Sequence, residues 1–167
     1  VLPVAYINRN KTCPNHVLAL GKERAKVFMS SAYYSYSDDS DYLIKNNEFD
    51  FLKYDNQIEK AEAAEKPFVA AFRLAYPKEL SEAKKNEYFN MLKGNEKDVA
   101  IFSVEVNDEN VLSYLLENFS FDTEFCAALY SLCAKKGYSN LQETVSVKKE
   151  KTALTETENM LKDLLLV

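Results

Sequence analysis

Only three glycines and four prolines interrupt a chain of 167 residues, and this scarcity constrains the fold more than any other feature. The hairpins of a many-turned sandwich or barrel call for Gly or Asn-Gly at positive φ. A chain with few breakers and long Ala, Leu, Glu and Lys stretches reads instead as helical. Apolar residues make up 47%. A chain of this length buries ~70% of its unfolded surface, so that apolar content suffices for a core and excludes global disorder. The expectation is an all-α protein forming one globular domain.

Along the chain, the first dozen residues read as extended or irregular. Thr12-Cys13-Pro14 reads as a helix start, because a proline in the first turn lacks only an N–H that had no intrahelical acceptor. Val17, Leu18, Leu20, Val27 and Phe28 carry that helix to about Ser31. Tyr33 to Asp41 is a polar, acidic loop, since Ser and Asp compete locally for backbone hydrogen bonds. Asp41 then caps a helix bearing Tyr42, Leu43 and Ile44. From Glu48 to about Lys66 a further helix turns Phe49, Leu52 and Ile58 inward. Residues 1–66 are thus expected to be an N-terminal helical segment.

From residue 67 the order is more regular. Pro67–Tyr76 reads as a short apolar helix stopped by Pro77, and Ser81–Lys93 as its partner. Asp98–Val106 and Val111–Glu117 form a second pair around Asn107-Asp108-Glu109. Phe125–Lys135 and Asn140–Val145 form a third around Gly137. Phe72, Ile101 and Leu129 occupy matching places, at steps of 29 residues (72 to 101) and 28 (101 to 129). Tandem helical pairs at such periods are the mark of stacked repeats, each needing a neighbour to bury its apolar face. Residues 67–145 are expected to be three such pairs, as in an ankyrin-like stack or another α-solenoid. In residues 146–167, Lys148-Lys149-Glu150-Lys151 reads as a charged linker or solvated face. Thr155–Leu165 reads as a C-terminal amphipathic helix, through Met160, Leu161, Leu164 and Leu165, that caps the stack or docks on another protein.

Two stretches resemble degenerate ankyrin repeats. They are residues 100–118, with Leu115-Leu116-Glu117, and residues 127–141, with Leu129, Gly137 and Leu141 in the family's places. No Thr-Pro-Leu-His is present, the first two pairs lack the turn glycine, and the steps are shorter than the family's ~33. The resemblance implies a protein-binding module whose surface is built from the turns between helices and the exposed side of the first helices. Carried onto this chain, it implies partner contacts at Glu105, Asn107, Asp108, Lys135 and Tyr138. Degenerate repeats in Lys- and Asn-rich chains also resemble effectors of intracellular bacteria, which implies delivery into a host cell.

The remaining motifs carry little chemistry. The net charge of −5, with basic residues scattered among acidic ones, speaks against a nucleic-acid partner, which needs clustered Lys and Arg. No apolar run approaches the ~20 residues of a membrane span, and the short apolar start lacks the basic leader of a signal peptide. Three cysteines, Cys13, Cys126 and Cys133, do not suggest a disulfide framework and fit the cytoplasm or another reducing compartment. Cys126 and Cys133, two helical turns apart, share an apolar face with Leu129 and read as core. Asp38, Asp39 and Asp41 lack the further ligands and the glycine of a calcium loop. Tyr33, Tyr34 and Tyr36 read equally as phosphorylation sites or a contact patch, or as half-buried packing. With one histidine and no Cys-x-x-Cys, neither a metal centre nor a cofactor is expected. The leading reading is a module that binds another protein. The rival is an enzyme without short motifs, a thiol-dependent hydrolase or transferase centred on Cys13 and His16.

Overall fold

A computed structural model describes residues 16–20, 25–33, 43–45 and 48–165. Helix predominates, as the scarcity of breakers requires. The chain divides into two compact units, Val1–Asn95 and Glu96–Val167. The boundary follows Gly94, whose φ of 84° lies in the left-handed region.

The described part of the first unit opens on strands. β1 (His16–Leu20) and β2 (Ala25–Met29) pair antiparallel, with Val17 opposite Phe28 and Leu18 opposite Val27. This corrects the helix expected from Thr12-Cys13-Pro14 to about Ser31. A short apolar run does not distinguish strand from helix by periodicity, and here tertiary cover decides. Phe28 stacks on Phe68 at 5.5 Å and lies 6.3 Å from Phe72, while the Tyr54 hydroxyl donates to the Phe28 carbonyl. The irregular start and Cys13 lie outside the described residues, as do Asp38, Asp39, Asp41, Tyr34 and Tyr36.

The segment between residues 43 and 66 also departs from expectation. In place of a helix on Leu43 and Ile44, β3 (Ile44–Lys45) pairs antiparallel with β4 (Glu48–Phe49). The single helix expected over 48–66 is instead β4, a short helix α1 (Phe51–Asp55) and a 3-10 turn at Ile58–Lys60. Asp50 caps α1 by accepting from the Lys53 N–H at 2.9 Å. Ile58 is buried as expected, but Leu52 is 67% exposed. Phe51 and Tyr54, three residues apart on the same helix face, take the inward side and leave Leu52 outside.

Two longer helices complete this unit. α2 (Lys66–Ala75) carries Pro67 in its first turn, so that proline opens the helix. Val69, Ala70, Ala71 and Phe72 are all fully buried, because β2 and the following helix both pack against α2. That helix, α3 (Glu82–Leu92), starts at Ser81, whose hydroxyl accepts from the Lys84 N–H, and buries Tyr88 and Leu92.

The second unit is helical throughout its described residues: α4 (Glu96–Glu105), α5 (Glu109–Asn118), α6 (Thr123–Lys136) and α7 (Ser139–Leu165). α4 packs on α5 and α6 on α7; in addition α5 packs on α7 and α4 on α6. Val111, Leu112, Leu115, Cys126, Cys133, Leu141 and Val145 are fully buried between them. α7 runs unbroken for 27 residues, which corrects the linker reading of Lys148–Lys151. Nothing between Ser139 and Leu165 breaks a helix, and Lys and Glu are good helix formers, so the charged run continues the helix, with Lys148 Nζ donating to the Phe119 carbonyl at 3.1 Å. Among the described residues, no helix is long and apolar enough to cross a membrane.

Candidate interaction surface

The two turns of the second unit share one backbone solution. At the end of α4, Asn107 takes φ 52°. Its N–H bonds to the Val104 carbonyl, and the Asp108 N–H to the Ser103 carbonyl. At the end of α6, Gly137 takes φ 75°, its N–H bonds to the Ala134 carbonyl, and the Tyr138 N–H reaches the Cys133 carbonyl. Both are the paired closure that satisfies orphan carbonyls at a helix C-terminus. Asn107 fills the place held by glycine in the later turn, since Asn tolerates the left-handed region better than most residues.

This pairing sets the register between the two helix pairs at 30 residues (107 to 137). In that register Val99 matches Leu129, Ser103 matches Cys133, Val111 matches Leu141, and Leu115 matches Val145, all of them buried. The match of Ile101 with Leu129 is therefore displaced by two residues, and Ile101 is 41% exposed whereas Leu129 is 2% exposed. In the same register Val69 of α2 precedes Val99, but the α2–α3 connection has a different form, with its left-handed residue at Glu79.

The turns lie side by side, bonded at both ends. Lys136 Nζ pairs with Glu105 Oε2 at 2.5 Å, and Asn140 Nδ2 donates to Glu109 Oε2 at 3.0 Å. At the opposite ends of the first helices, Lys97 Nζ donates to Asp122 Oδ2 at 2.6 Å and lies over the Phe125 ring. The hydrogen bond from Lys97 holds the Asp122 carboxyl below its ordinary pKa, helped by the Phe125 N–H.

Of the residues expected to meet a partner, Glu105, Asn107 and Lys135 are exposed around these turns, and Tyr138 is half-buried beside Gly137. Asp108 is not on the surface. It is fully buried, and its carboxylate accepts from the Val111 N–H at 3.0 Å to cap α5. An Asp just before a helix is as good a cap as a surface charge, and the α5 start at Glu109 was the signal for the first role. Residue-by-residue reading missed Lys136, Glu109 and Asn140, which become neighbours only when the pairs are set side by side. The exposed side of the first helices was expected, but its apolar residues were not named: on α4 and α6, Ile101 and Tyr130 are 41% and 37% exposed.

The alternative centre is not assembled among the described residues. Cys13 lies outside them, and the His16 backbone pairs with Met29 in β1. Cys126 and Cys133 are both fully buried, and burial pushes the Cys133 thiol pKa up. No cluster of three His, Cys, Asp or Glu that could hold a metal occurs among the described residues.

The first unit holds a polar cluster that local reading does not reveal. Arg73 is fully buried, and its Nε and Nη2 donate to the two Asp55 carboxylate oxygens at 2.7 and 2.9 Å. Nη1 donates to the Tyr76 carbonyl and Nη2 also to that of Lys78. The Tyr88 hydroxyl donates to Asp55 Oδ1 at 2.7 Å, and the Phe51 ring faces the guanidinium at 4.7 Å. Burial raises the Tyr88 phenol above its ordinary range, and the Asp55 charge raises it further. Glu65, just before α2, accepts from the two serines that follow β2: Ser30 Oγ at 2.5 Å and Ser31 Oγ at 3.0 Å. These groups are committed to one another and tie α1, α2 and α3 together.

No known protein family, no curated protein and no solved structure matches this chain.

Proposed function

We propose that this chain is a protein-binding module in which α4–α5 and α6–α7 are two stacked, degenerate ankyrin-like repeats. The partner docks on the adjoining turns and on the outward sides of α4 and α6. The observation that carries this reading is the exposure of Ile101 and Tyr130 on neighbouring first helices, beside the Glu105–Lys136 pair. Interfaces concentrate affinity in a few aromatic and apolar anchors and use charged rims to steer encounter. Tyr130 offers an apolar ring with a polar tip, and Ile101 stands one helical turn before Glu105. The common 30-residue register of buried positions supports the repeat assignment. Glu105, Asn107, Lys135 and Tyr138 form the rim in this reading, and Asp108 supports the turn from inside. Such a module acts in the cytoplasm or another reducing compartment, as part of an effector-like protein.

The test is affinity capture with the intact chain, comparing wild type with Tyr130→Ala, Ile101→Ala and Glu105→Lys. A specific partner retained by wild type and lost from all three folded variants, at unchanged circular dichroism, supports the surface. A partner retained equally by every variant places the binding elsewhere and overturns it.

A further inference from the structure

The first half of α7 is buried by its neighbours through Leu141 and Val145, but the helix continues to Leu165. Past Glu150 its described side chains are exposed, Thr152 excepted. Val147, Lys151, Leu154 and Glu158 recur at steps of four, three and four, so they share one helix face. Val147 is 49% and Leu154 is 65% exposed.

The charges on this stretch lean from basic to acidic. Lys148, Lys149 and Lys151 come first with Glu150 among them, and Glu156, Glu158 and Asp163 follow with Lys162 among them. A helix favours acidic residues towards its N-terminus and basic residues towards its C-terminus, so the later carboxylates approach the end that disfavours them. Lys151 has no acidic residue three or four positions away on its own helix. Both conditions are relieved by a neighbour running in the opposite direction. From these observations we infer that the exposed half of α7 is the antiparallel, two-fold interface with a second copy of this chain.

With the two-fold axis between residues 154 and 155, the leucines at 154 come together at the centre. Lys151 of each copy lies across from residue 158 of the other, a glutamate. The interface is isologous, so one complementary charge pair occurs twice. A parallel, in-register arrangement would instead set Lys151 against its own copy. The seam spans about two heptads, which implies a weak and concentration-dependent dimer.

Sedimentation velocity of the full chain across a concentration series tests this. The expected result is a reversible monomer–dimer equilibrium that weakens with added salt. Leu154→Glu places like charges at the centre and is expected to weaken the dimer ~10-fold or more, since facing like charges cost several kcal/mol and each ~1.4 kcal/mol is tenfold. Lys151→Glu and Glu158→Lys should each weaken it, and the double variant carrying both should restore it. Helical circular dichroism confirms that each variant folds. A chain that stays monomeric at all concentrations overturns the inference. So does a dimer indifferent to Leu154→Glu, or a charge swap that fails to restore association. Tyr130→Ala and Glu105→Lys should leave this dimer unchanged, which separates it from the binding surface proposed above.

Discussion

Arg73 sits with no exposure in a helix that otherwise buries Val, Ala, Phe and Leu, and its setting explains how a charge is tolerated there. Asp55 grips the guanidinium at two points, and two backbone carbonyls take further donors. Removing one member of a buried pair leaves the other charge uncompensated, which costs ~3–5 kcal/mol, whereas replacing both by apolar groups of similar volume is often far milder. Asp55→Ala is therefore expected to lower stability by about that amount in urea titration, and Asp55→Leu combined with Arg73→Met by clearly less. The tyrosines around this site add a pH dependence. Burial is the first cause raising the phenols of Tyr33, Tyr54 and Tyr88 above the usual 10.0, and neighbouring carboxylate or phenol charges add to it. A raised folded-state pKa means that the unfolded chain loses its protons first. The contribution is complete below pH 10 and declines as pH rises beyond it. Alkaline titration should show these phenols ionising together with loss of helical circular dichroism; their ionisation in a still-folded chain would contradict the burial.

The helix ends and their registers offer sharper tests at the scale of elements. A Cβ at Gly137 would meet nothing within 4 Å, so the cost of Gly137→Ala is backbone strain alone, ~1–2 kcal/mol at φ 75°. Asn107→Gly should be neutral or slightly stabilising, because the residue already sits at φ 52°. A loss on alanine substitution at both turns, smaller at Asn107 than at Gly137, would support their equivalence. The 30-residue register separates Leu129 from Ile101. Leu129→Ala should cost ~2–5 kcal/mol from lost transfer energy and the remaining cavity. Ile101→Ala, on an exposed face, should cost about 1 kcal/mol or less. Thermal and urea unfolding of the two variants measures this directly, and equal losses would restore the register in which they match.

For the molecule as a whole, the proposed binding surface and the proposed self-association seam lie on different helices of the second unit and should respond to different substitutions. Glu105→Ala should leave stability nearly unchanged, because an exposed pair such as that with Lys136 contributes ~0–1 kcal/mol, and so should Lys135→Ala at an exposed position, while both weaken capture of a partner. Differential scanning calorimetry beside the capture experiment reads both. A large stability loss from Glu105→Ala would make its pair with Lys136 a structural brace and remove it from the rim.

Local chemistry made much of this protein legible. Few breakers announced helix, Pro67 and Ser81 marked helix starts, Gly137 marked a stop, and the cores of α2 to α6 coincide with apolar stretches visible along the chain. These are short-range effects, set by propensity, capping and φ preference within a few residues. What tertiary structure decided depends on neighbours remote in sequence. β1 and β2 became paired strands because Phe28 meets Phe68 and Phe72. Leu52 turned outward because Phe51 and Tyr54 claimed the inner face, and Asp108 went inside because α5 needed a cap. Nothing local to Arg73 marks a buried ion pair; it forms because Asp55 and Tyr88, 18 positions before it and 15 after it, close around it. The candidate surface has the same origin: Glu105 and Lys136 are 31 positions apart and become a pair only when two helix turns are laid side by side.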